Sequence, residues 1–540
     1  MKKLKPTSWD PISSARLIVA VSVFVALFSN TAFFTHALKI YQFEAKNALF
    51  VASLSVYITA IFIITLSVFC HRFLVKPLLI AFLLLSSLIA YFMNQYGVII
   101  DHKMIDTVLE TDMAEARDLF SFPLLLYVGF LGVLPSLFIY RVQLAQTPWK
   151  AELISRAMLA GVSVCVMTVV YFSFSAHYSS MMRMQRALWA QVNPTYALYS
   201  AVKLARLSIK SASLPFKVVG ADAKIPEADT HRELVIMVVG ESVRADHFSL
   251  NGYERKTNPL LKQENVINLP DFWSCGTTTA DSVPCIFSHY PRAEFSKRKG
   301  KAADNALDIL KRAGVNVLWR DNNSSSKGVA ERVDYEKFQT SETNPVCDNE
   351  CRDEGMLHGL QDYVEAHPNG DILIVLHQMG NHGPAYYKRY PPAFKKFTPV
   401  CKTSNMGACS AEAVINAYDN AILYTDYFLS KVINLLKQND DEFETAMIYV
   451  SDHGESLGEN GLYLHAMPYF LAPDAQKHVP SVMWFGRNFD HESLMNIQET
   501  RKKRLTHDNM FSTLLGIFEI RSAAYDPKMD IFDHSYPEHW

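Results

Sequence analysis

Long apolar runs crowd the first third of the chain and thin out abruptly afterwards. Five of them, centred on residues 17–34, 48–70, 74–93, 120–140 and 157–174, approach or reach the roughly 20 residues that a helix needs to cross a bilayer. After residue 175 the pattern changes. Leu198, Val202, Ala205 and Ile209 recur at helical spacing, with Lys203, Arg206 and Lys210 between them and Trp189, Tyr196 and Tyr199 close by. That pattern suits a helix lying on a membrane surface, and equally an amphipathic helix packed on a soluble domain. Residues 220–230 are polar and contain proline, as a linker would. Beyond them short apolar runs alternate with amphipathic ones. Strands are expected at 234–239, 315–320, 371–377, 446–451 and 481–485, and helices at 303–313 and 413–438. Such alternation predicts an α/β sandwich with a mainly parallel central sheet.

Charge orients the apolar part. Basic residues gather at the amino end (Lys2, Lys3, Lys5, Arg16), in the second turn (Arg72, Lys76) and in the fourth loop (Arg141, Lys150, Arg156). The third loop is mainly acidic, with Asp101, Asp106, Glu110, Asp112, Glu115 and Asp118 against Lys103 and Arg117. The basic segments fall on one side, which is cytoplasmic by the positive-inside rule. An odd number of spans then puts the carboxyl part outside the cytoplasm. The first run lacks a clear small-residue cleavage site and four more spans follow, so it reads as an anchor rather than a removable signal. The expected domains are a five-helix transmembrane domain at 1–176, interfacial helices and linker at 177–230, and a soluble domain at 231–540. A net charge of −2 over 540 residues offers no bulk attraction for nucleic acid.

Eight cysteines are present. Cys70 and Cys165 lie in predicted spans, and the others form local pairs: Cys275/Cys285, Cys347/Cys351 and Cys401/Cys409. Their proximity suggests three small disulfide loops, which persist in an oxidising compartment such as a bacterial periplasm. No pair has the two-residue spacing of a zinc knuckle.

The candidate chemistry sits at strand ends. Leu234 to Val239 is a continuous β-branched-rich run that stops at Gly240 and is followed by Glu241 and Ser242. Open α/β sheets bind ligands at the carboxyl ends of such strands. The stretch 446–451 has the same shape and ends in Asp452, His453, Gly454 and Glu455. Glu, Asp and His delivered to one sheet edge are a plausible ligand set for Zn²⁺. The stretch 371–377 presents His377 and then His382, and His465 follows Asp452 by thirteen residues. Cys275-Gly-Thr-Thr-Thr-Ala-Asp-Ser-Val-Pro-Cys would open a helix, where free N–H groups favour negative charge. A hydroxyl there either caps the helix or serves as a nucleophile. Sequence physics does not choose among Thr277, Thr278 and Thr279.

The motifs Gly240-Glu-Ser, Cys275-Gly-Thr-x-Thr-Ala-x-Ser-Val-Pro-Cys, Trp319-Arg-Asp-Asn-Asn-Ser-x-Ser-Lys-Gly, His377-Gln-Met-Gly-Asn-His-Gly-Pro and Ser451-Asp-His-Gly-Glu-Ser-Leu-Gly-Glu-Asn-Gly resemble those of the phosphoethanolamine transferases of Gram-negative bacteria. The lipid A enzymes, including the transferable colistin-resistance members, are the nearest in pattern. The resemblance implies five spans followed by an alkaline-phosphatase/sulfatase-like α/β/α sandwich in the periplasm. It implies Thr279 as nucleophile, and Glu241, Thr279, Asp452 and His453 around one catalytic Zn²⁺. It puts His382 and His465 beside the phosphate, to hold a second zinc or to assist proton transfer, and gives Asn323 and Lys327 as substrate contacts. It further implies a phosphatidylethanolamine donor, a lipid A or lipopolysaccharide acceptor, and polymyxin/colistin resistance. After the equivalent of Cys409 some resistance-type members carry a His where this chain has Ser410-Ala-Glu-Ala. Rival readings are transfer of phosphoethanolamine or phosphoglycerol to another envelope acceptor, such as a core sugar, or a membrane-tethered phosphodiesterase. The Cys-x-Pro-x-Arg pattern of sulfatases is absent from the nucleophile segment.

Overall fold

The computed structural model describes residues 11–532 apart from 42–44, 71–72, 111–115, 118, 185, 212–213, 228–230 and 490–496. Of the charge pattern above, Lys2, Lys3, Lys5, Arg72, Asp112, Glu115 and Asp118 lie outside the described residues. Contacts divide the chain into two units, Met1–Asp106 with Phe120–Arg206, and Thr107–Leu119 with Leu207–Trp540.

The first unit is helical. Asn47–Phe69, Val75–Tyr96, Phe122–Arg141 and Trp149–Ser173 are each long and apolar enough to cross a membrane. The first apolar run differs from expectation. It is a bent pair, Ser14–Phe28 and Thr31–Ile40, meeting at 54°, so among the described residues the candidate spans number four, or five if the pair is one. Asn30 marks the break. The Asn30 side-chain amide donates to Val25 O (2.9 Å) and to Asn193 O (2.8 Å), and Asn193 N donates back to Asn30 Oδ1 (2.8 Å). Val25 O also accepts from Ser29 N (3.0 Å), so the Asn30 side chain adds a second donor at the helix end. Phe122–Arg141 contains a π turn at Val128–Val133, just ahead of Pro135, which has no N–H to continue the ordinary ladder. In helix Thr195–Ser211 the expected apolar face is open: Leu198, Val202 and Ile209 are exposed.

The second unit is built on an eight-stranded sheet. Its strands, in chain order, are β1 (Glu233–Gly240), β2 (Ile267–Trp273), β3 (Asn316–Asp321), β4 (Asp334–Lys337), β5 (Ile372–His377), β6 (Glu444–Ser451), β9 (His478–Phe485) and β10 (Leu505–Thr506); β7 (Ser456–Leu457) and β8 (Tyr463–Leu464) form a separate antiparallel pair. The order across the large sheet is β10-β2-β9-β6-β1-β5-β3-β4. From β6 to β4 neighbouring strands run parallel, while β9 is antiparallel to both β2 and β6.

Every residue of β1 is buried, as a strand covered on both faces must be. Val235, Met237 and Val239 join a core with Leu307, Leu310, Trp319 and Leu514. The alternate residues Leu234, Ile236 and Val238 are equally buried, and alternation sends them to the opposite face. Helix Ala306–Ala313 begins with a capping box between Asn305 and Asp308, three residues later than the periodicity predicts. Strands β2, β4 and β10 escape the sequence pattern because they lack a continuous apolar run. The sheet therefore brings the carboxyl ends of β1, β3, β5 and β6 to one edge.

Cys275–Cys285, Cys347–Cys351 and Cys401–Cys409 are disulfide-bonded, and Cys70 and Cys165 are free. Thiol titration of the denatured, unreduced protein should therefore find two reactive thiols. Six more should appear only after reduction, and eight at the outset would refute the pairing.

Candidate active site and metal centre

The central pairing of the sheet assembles the site. Gly240 of β1 is in register with Ser451 of β6, and Asp452 N donates to Gly240 O (2.9 Å). The two strands end together, so Glu241 and Asp452 leave them side by side. Both carboxylates and His453 are completely buried.

Glu241 is held tightly. Ser242 Oγ donates to Oε1 (2.5 Å), while Thr279 Oγ1 (3.0 Å) and Asn323 Nδ2 (2.9 Å) both donate to Oε2. Its backbone is clamped from β5's side. Asn381 N donates to Glu241 O, and Gly380 lies at φ +48° with room for no Cβ, since one would sit 3.0 Å from Glu241 O. Asp452 is less satisfied. Its Oδ1 accepts from Ser242 N (3.1 Å) and His453 N (2.7 Å), but its Oδ2 is buried without a hydrogen-bond partner.

His453 Nδ1 lies 2.9 Å from Gly454 O. A carbonyl can only accept, so Nδ1 carries the proton and Nε2 presents a lone pair. That lone pair faces Thr279 Oγ1 at 3.3 Å, Asp452 Oδ2 at 3.3 Å and Glu241 Oε1 at 3.4 Å. Burial, with His465 nearby, pushes the imidazole pKa down to about 3, so it is neutral. Burial resists the charged form of Glu241, yet the surrounding histidines outweigh it and hold that carboxyl well below its usual range. Asp452 goes the other way: burial, and then the charge of Glu241, push its carboxyl far up.

Ligand atoms of Glu241, Asp452 and His453 all lie within 4.8 Å of one another. Two buried carboxylates, an orphaned oxygen and an imidazole lone pair turned on them repel one another as they stand. A cation among them would relieve that repulsion, so the donor set fits a divalent ion of the zinc type.

A second group adjoins the first. His465 Nδ1 lies 2.8 Å from Glu455 Oε2, and its ring centre is 4.3 Å from that of His453 and 6.0 Å from that of His382. Ligand atoms of His453, Glu455 and His465 also fall within 4.8 Å. Burial works against the His465 imidazolium, but Glu455 and Glu241 prevail and raise its pKa.

The threonines separate cleanly. Thr277 Oγ1 donates to Met467 O (2.7 Å), and Thr278 caps the helix Thr279–Ile286 by accepting from Asp281 N (3.2 Å). Thr279 alone of the three turns its hydroxyl to Glu241. Of the other expected site residues, Asn323 spends both amide hydrogens inside the protein, on Glu241 Oε2 and on Gln378 O (2.7 Å). Lys327 Nζ donates to Ser324 O (3.4 Å). His377 faces away from them and pairs through Nδ1 with Asp321 Oδ2 (3.0 Å).

Several residues of the site escaped the sequence reading. Glu455 is named from the sequence at the strand end that carries Asp452 and His453, but is given no role of its own there. Tyr386, whose hydroxyl donates to Glu455 Oε1 (2.7 Å), and His507 carry no local signal. His507 ties Ser451 O (3.0 Å) to Cys275 N (3.2 Å), linking the end of β6 to the threonine segment.

Comparison with known proteins agrees with this architecture. Residues 233–520 match the Sulfatase family and residues 58–209 match the family described as Phosphoethanolamine transferase EptA/EptB. The chain is 41% identical over 523 residues to phosphatidylethanolamine transferase Mcr-1 of Escherichia coli, covering 94% of this chain and 95% of that protein. It is 37% identical over 531 residues to phosphoethanolamine transferase EptA of Escherichia coli K12, covering 95% of each. The solved structure of the integral membrane lipooligosaccharide phosphoethanolamine transferase A from Neisseria meningitidis superposes with a TM-score of 0.93 at 35% identity. That match covers 97% of this chain and 99% of the other.

Tyr386→Phe keeps the ring and removes one donor from a buried carboxylate. Leaving such an acceptor short costs about 1–3 kcal/mol. The thermal midpoint of the purified protein should fall by a few degrees; an unchanged midpoint would show that Glu455 does not need the bond.

Proposed function

The chain belongs to the phosphoethanolamine transferase family, and we propose that it moves phosphoethanolamine from phosphatidylethanolamine to a phosphate of lipid A through a covalent intermediate on Thr279. It is an inner-membrane protein whose soluble part faces the periplasm. Within it we take residues 1–176 as the membrane domain, 177–230 as interfacial helices and linker, and 231–540 as the catalytic domain. The observation that carries the reading is the Thr279 hydroxyl, 3.0 Å from one buried carboxylate and 3.3 Å from the lone pair of a neutral imidazole.

Glu241, Asp452, His453 and Thr279 would hold a zinc ion, which when bound supplies positive charge that favours the ionised hydroxyl and the charge on the phosphoryl oxygens. The chain's own residues do the rest. The Thr279 hydroxyl proton points along its hydrogen bond to Glu241 Oε2, and Asn323 fixes that oxygen from the other side. Thr279 Oγ1 attacks phosphorus, and the bond from phosphorus to the glycerol oxygen breaks. His465, whose imidazolium form Glu455 favours, gives a proton to the leaving diacylglycerol. An acceptor phosphate oxygen then attacks the same phosphorus. The Thr279–phosphorus bond breaks, Thr279 Oγ1 takes back the proton it had passed to Glu241 Oε2, and His465 regains its own from the hydroxyl of the acceptor phosphate. Splitting one displacement into two is the benefit of a covalent intermediate. His382, beside His465, fits contact with the transferred phosphate; a second zinc held by the two histidines would replace the proton-donor role of His465. Lys327 fits a contact to substrate oxygen, and Asn323 reaches substrate only if it releases Glu241 or Gln378. Identity to a phosphatidylethanolamine transferase supports the donor. Membership with lipooligosaccharide and Kdo(2)-lipid A enzymes supports the acceptor class.

The deciding experiment is mass spectrometry of lipid A from cells with and without this protein. Thr279→Ala should cut transfer on the order of a thousandfold or more, as loss of a nucleophile does, while Thr279→Ser should keep part of it. Full activity in the Ala variant would sink the assignment. Glu241→Ala and Asp452→Ala should each emerge from purification with little zinc, because each removes one ligand from a small set. Stoichiometric zinc in both, measured by elemental analysis, would mean that the ligands lie elsewhere. A phosphate monoester carries about −1.5 to −2 at neutral pH, and ethanolamine esterification removes most of that net charge. Cells making the active protein should therefore bind less of a cationic polymyxin and survive a higher dose than cells making Thr279→Ala. Modified lipid A with unchanged polymyxin binding would refute the charge argument alone.

A further inference from the structure

Among the described residues after Val218, Phe470 is the only large hydrophobic side chain left exposed, at 78%. One exposed aromatic is ordinary by itself; the place of this one is not. It sits five residues beyond His465, on a loop fastened to the threonine segment at three points. Ala466 N donates to Thr277 O (2.8 Å), Thr277 Oγ1 donates to Met467 O (2.7 Å), and the Tyr469 hydroxyl donates to Ser274 O (2.9 Å).

Cations border the same loop. The Arg292 guanidinium lies 3.7 Å over the Tyr469 ring and Lys477 Nζ lies 5.4 Å from it. Arg504 is close enough to act on the Tyr469 hydroxyl electrostatically, and its guanidinium stacks 3.9 Å over Trp273. Asp474, 3.4 Å from Lys477, and Asp508, whose carboxylate accepts from Arg292 N, offset part of this charge. Stacking leaves the guanidinium edges of Arg292 and Arg504 free in direction to meet phosphate oxygens, which arginine binds in a planar fork.

We infer that the Phe470 loop, with Arg292, Arg504 and Lys477, is a docking surface for the phosphorylated saccharide end of the acceptor glycolipid. The arginines take its phosphates and Phe470 enters the apolar layer where its acyl chains begin. Charge decides between the two lipids of the reaction. The donor headgroup is close to neutral overall, whereas a glycolipid with phosphates on its sugars is strongly anionic and complements three cations. The three hydrogen bonds to the threonine segment make docking there register the acceptor against Thr279. This rests on the reading that the acceptor is a phosphorylated lipid.

The test uses the full chain in mixed micelles. Transfer rates are measured against the concentration of bis-phosphorylated lipid A, and single-turnover diacylglycerol release from phosphatidylethanolamine is measured without acceptor. Phe470→Ser, and separately the double variant Arg292→Gln/Arg504→Gln, should raise the apparent KM for lipid A roughly tenfold. Diacylglycerol release should stay within about twofold of wild type, which also shows that the variants fold. Added NaCl should raise the wild-type KM, and raise it less in the double variant. An acceptor KM unchanged in both variants overturns the inference. So does diacylglycerol release that falls as far as transfer, because the loop would then serve the donor or the fold. Wild-type protein that releases diacylglycerol but never modifies lipid A defeats the acceptor reading itself, and the docking surface with it.

Discussion

Two buried carboxylates at the ends of neighbouring parallel strands are the constraint around which the soluble unit is built. Removing Glu241 and Asp452 from water is costly, and their mutual repulsion adds to that cost. Glu241 is supplied with three side-chain donors, from Ser242, Thr279 and Asn323. Asp452 keeps one oxygen bare, facing the lone pair of His453. The asymmetry is what a cation site requires: one carboxylate prepaid with hydrogen bonds, the other held open, and a neutral imidazole aimed between them.

The surroundings exist to keep that arrangement from relaxing. Ser242 is held at φ +58°, a backbone region disfavoured for a residue with a side chain. The Tyr418 hydroxyl, from the long helix Ala411–Gln438, donates to Ser242 O (2.6 Å) and accepts from Arg244 N (2.9 Å). Asp353 gathers the amides of Met379 and Gly380 together with Asn322 Nδ2, joining the loops that follow β3 and β5. Burial raises its pKa, and those donors act against the rise. Asp321 does the same one layer deeper, between Trp319, His377 and the amides of Asn323 and Ser325. Loops carry the reactive groups, but buried acids fix the loops.

Much of this architecture was open to reading from the chain alone. The β-branched run before Glu241 and its counterpart before Asp452 predict strands, and parallel strands put their next residues on one edge. The apolar runs predict the helical part because their length is set by the bilayer and not by any partner. The exception is the first run, where Asn30 breaks the helix by bonding to Asn193, a residue far away in sequence. The antiparallel direction of β9 and the existence of β2 and β10 were invisible, because strand pairing is a non-local choice.

The sequence by itself determined which residue types arrive at the sheet edge: a glutamate, an aspartate, histidines and three consecutive threonines. Only the tertiary structure decided how they divide the work. Thr277 binds Met467 O, Thr278 caps its helix, and Thr279 meets Glu241. His377 is withdrawn to Asp321, whereas His465 turns to Glu455. Asn323 is committed to Glu241 rather than left free. The physical reason is that a polar side chain's role depends on where its donors and acceptors point. Except at Thr278, which caps its own helix, that direction is set by partners ten to 190 residues away, brought close only when the sheet closes.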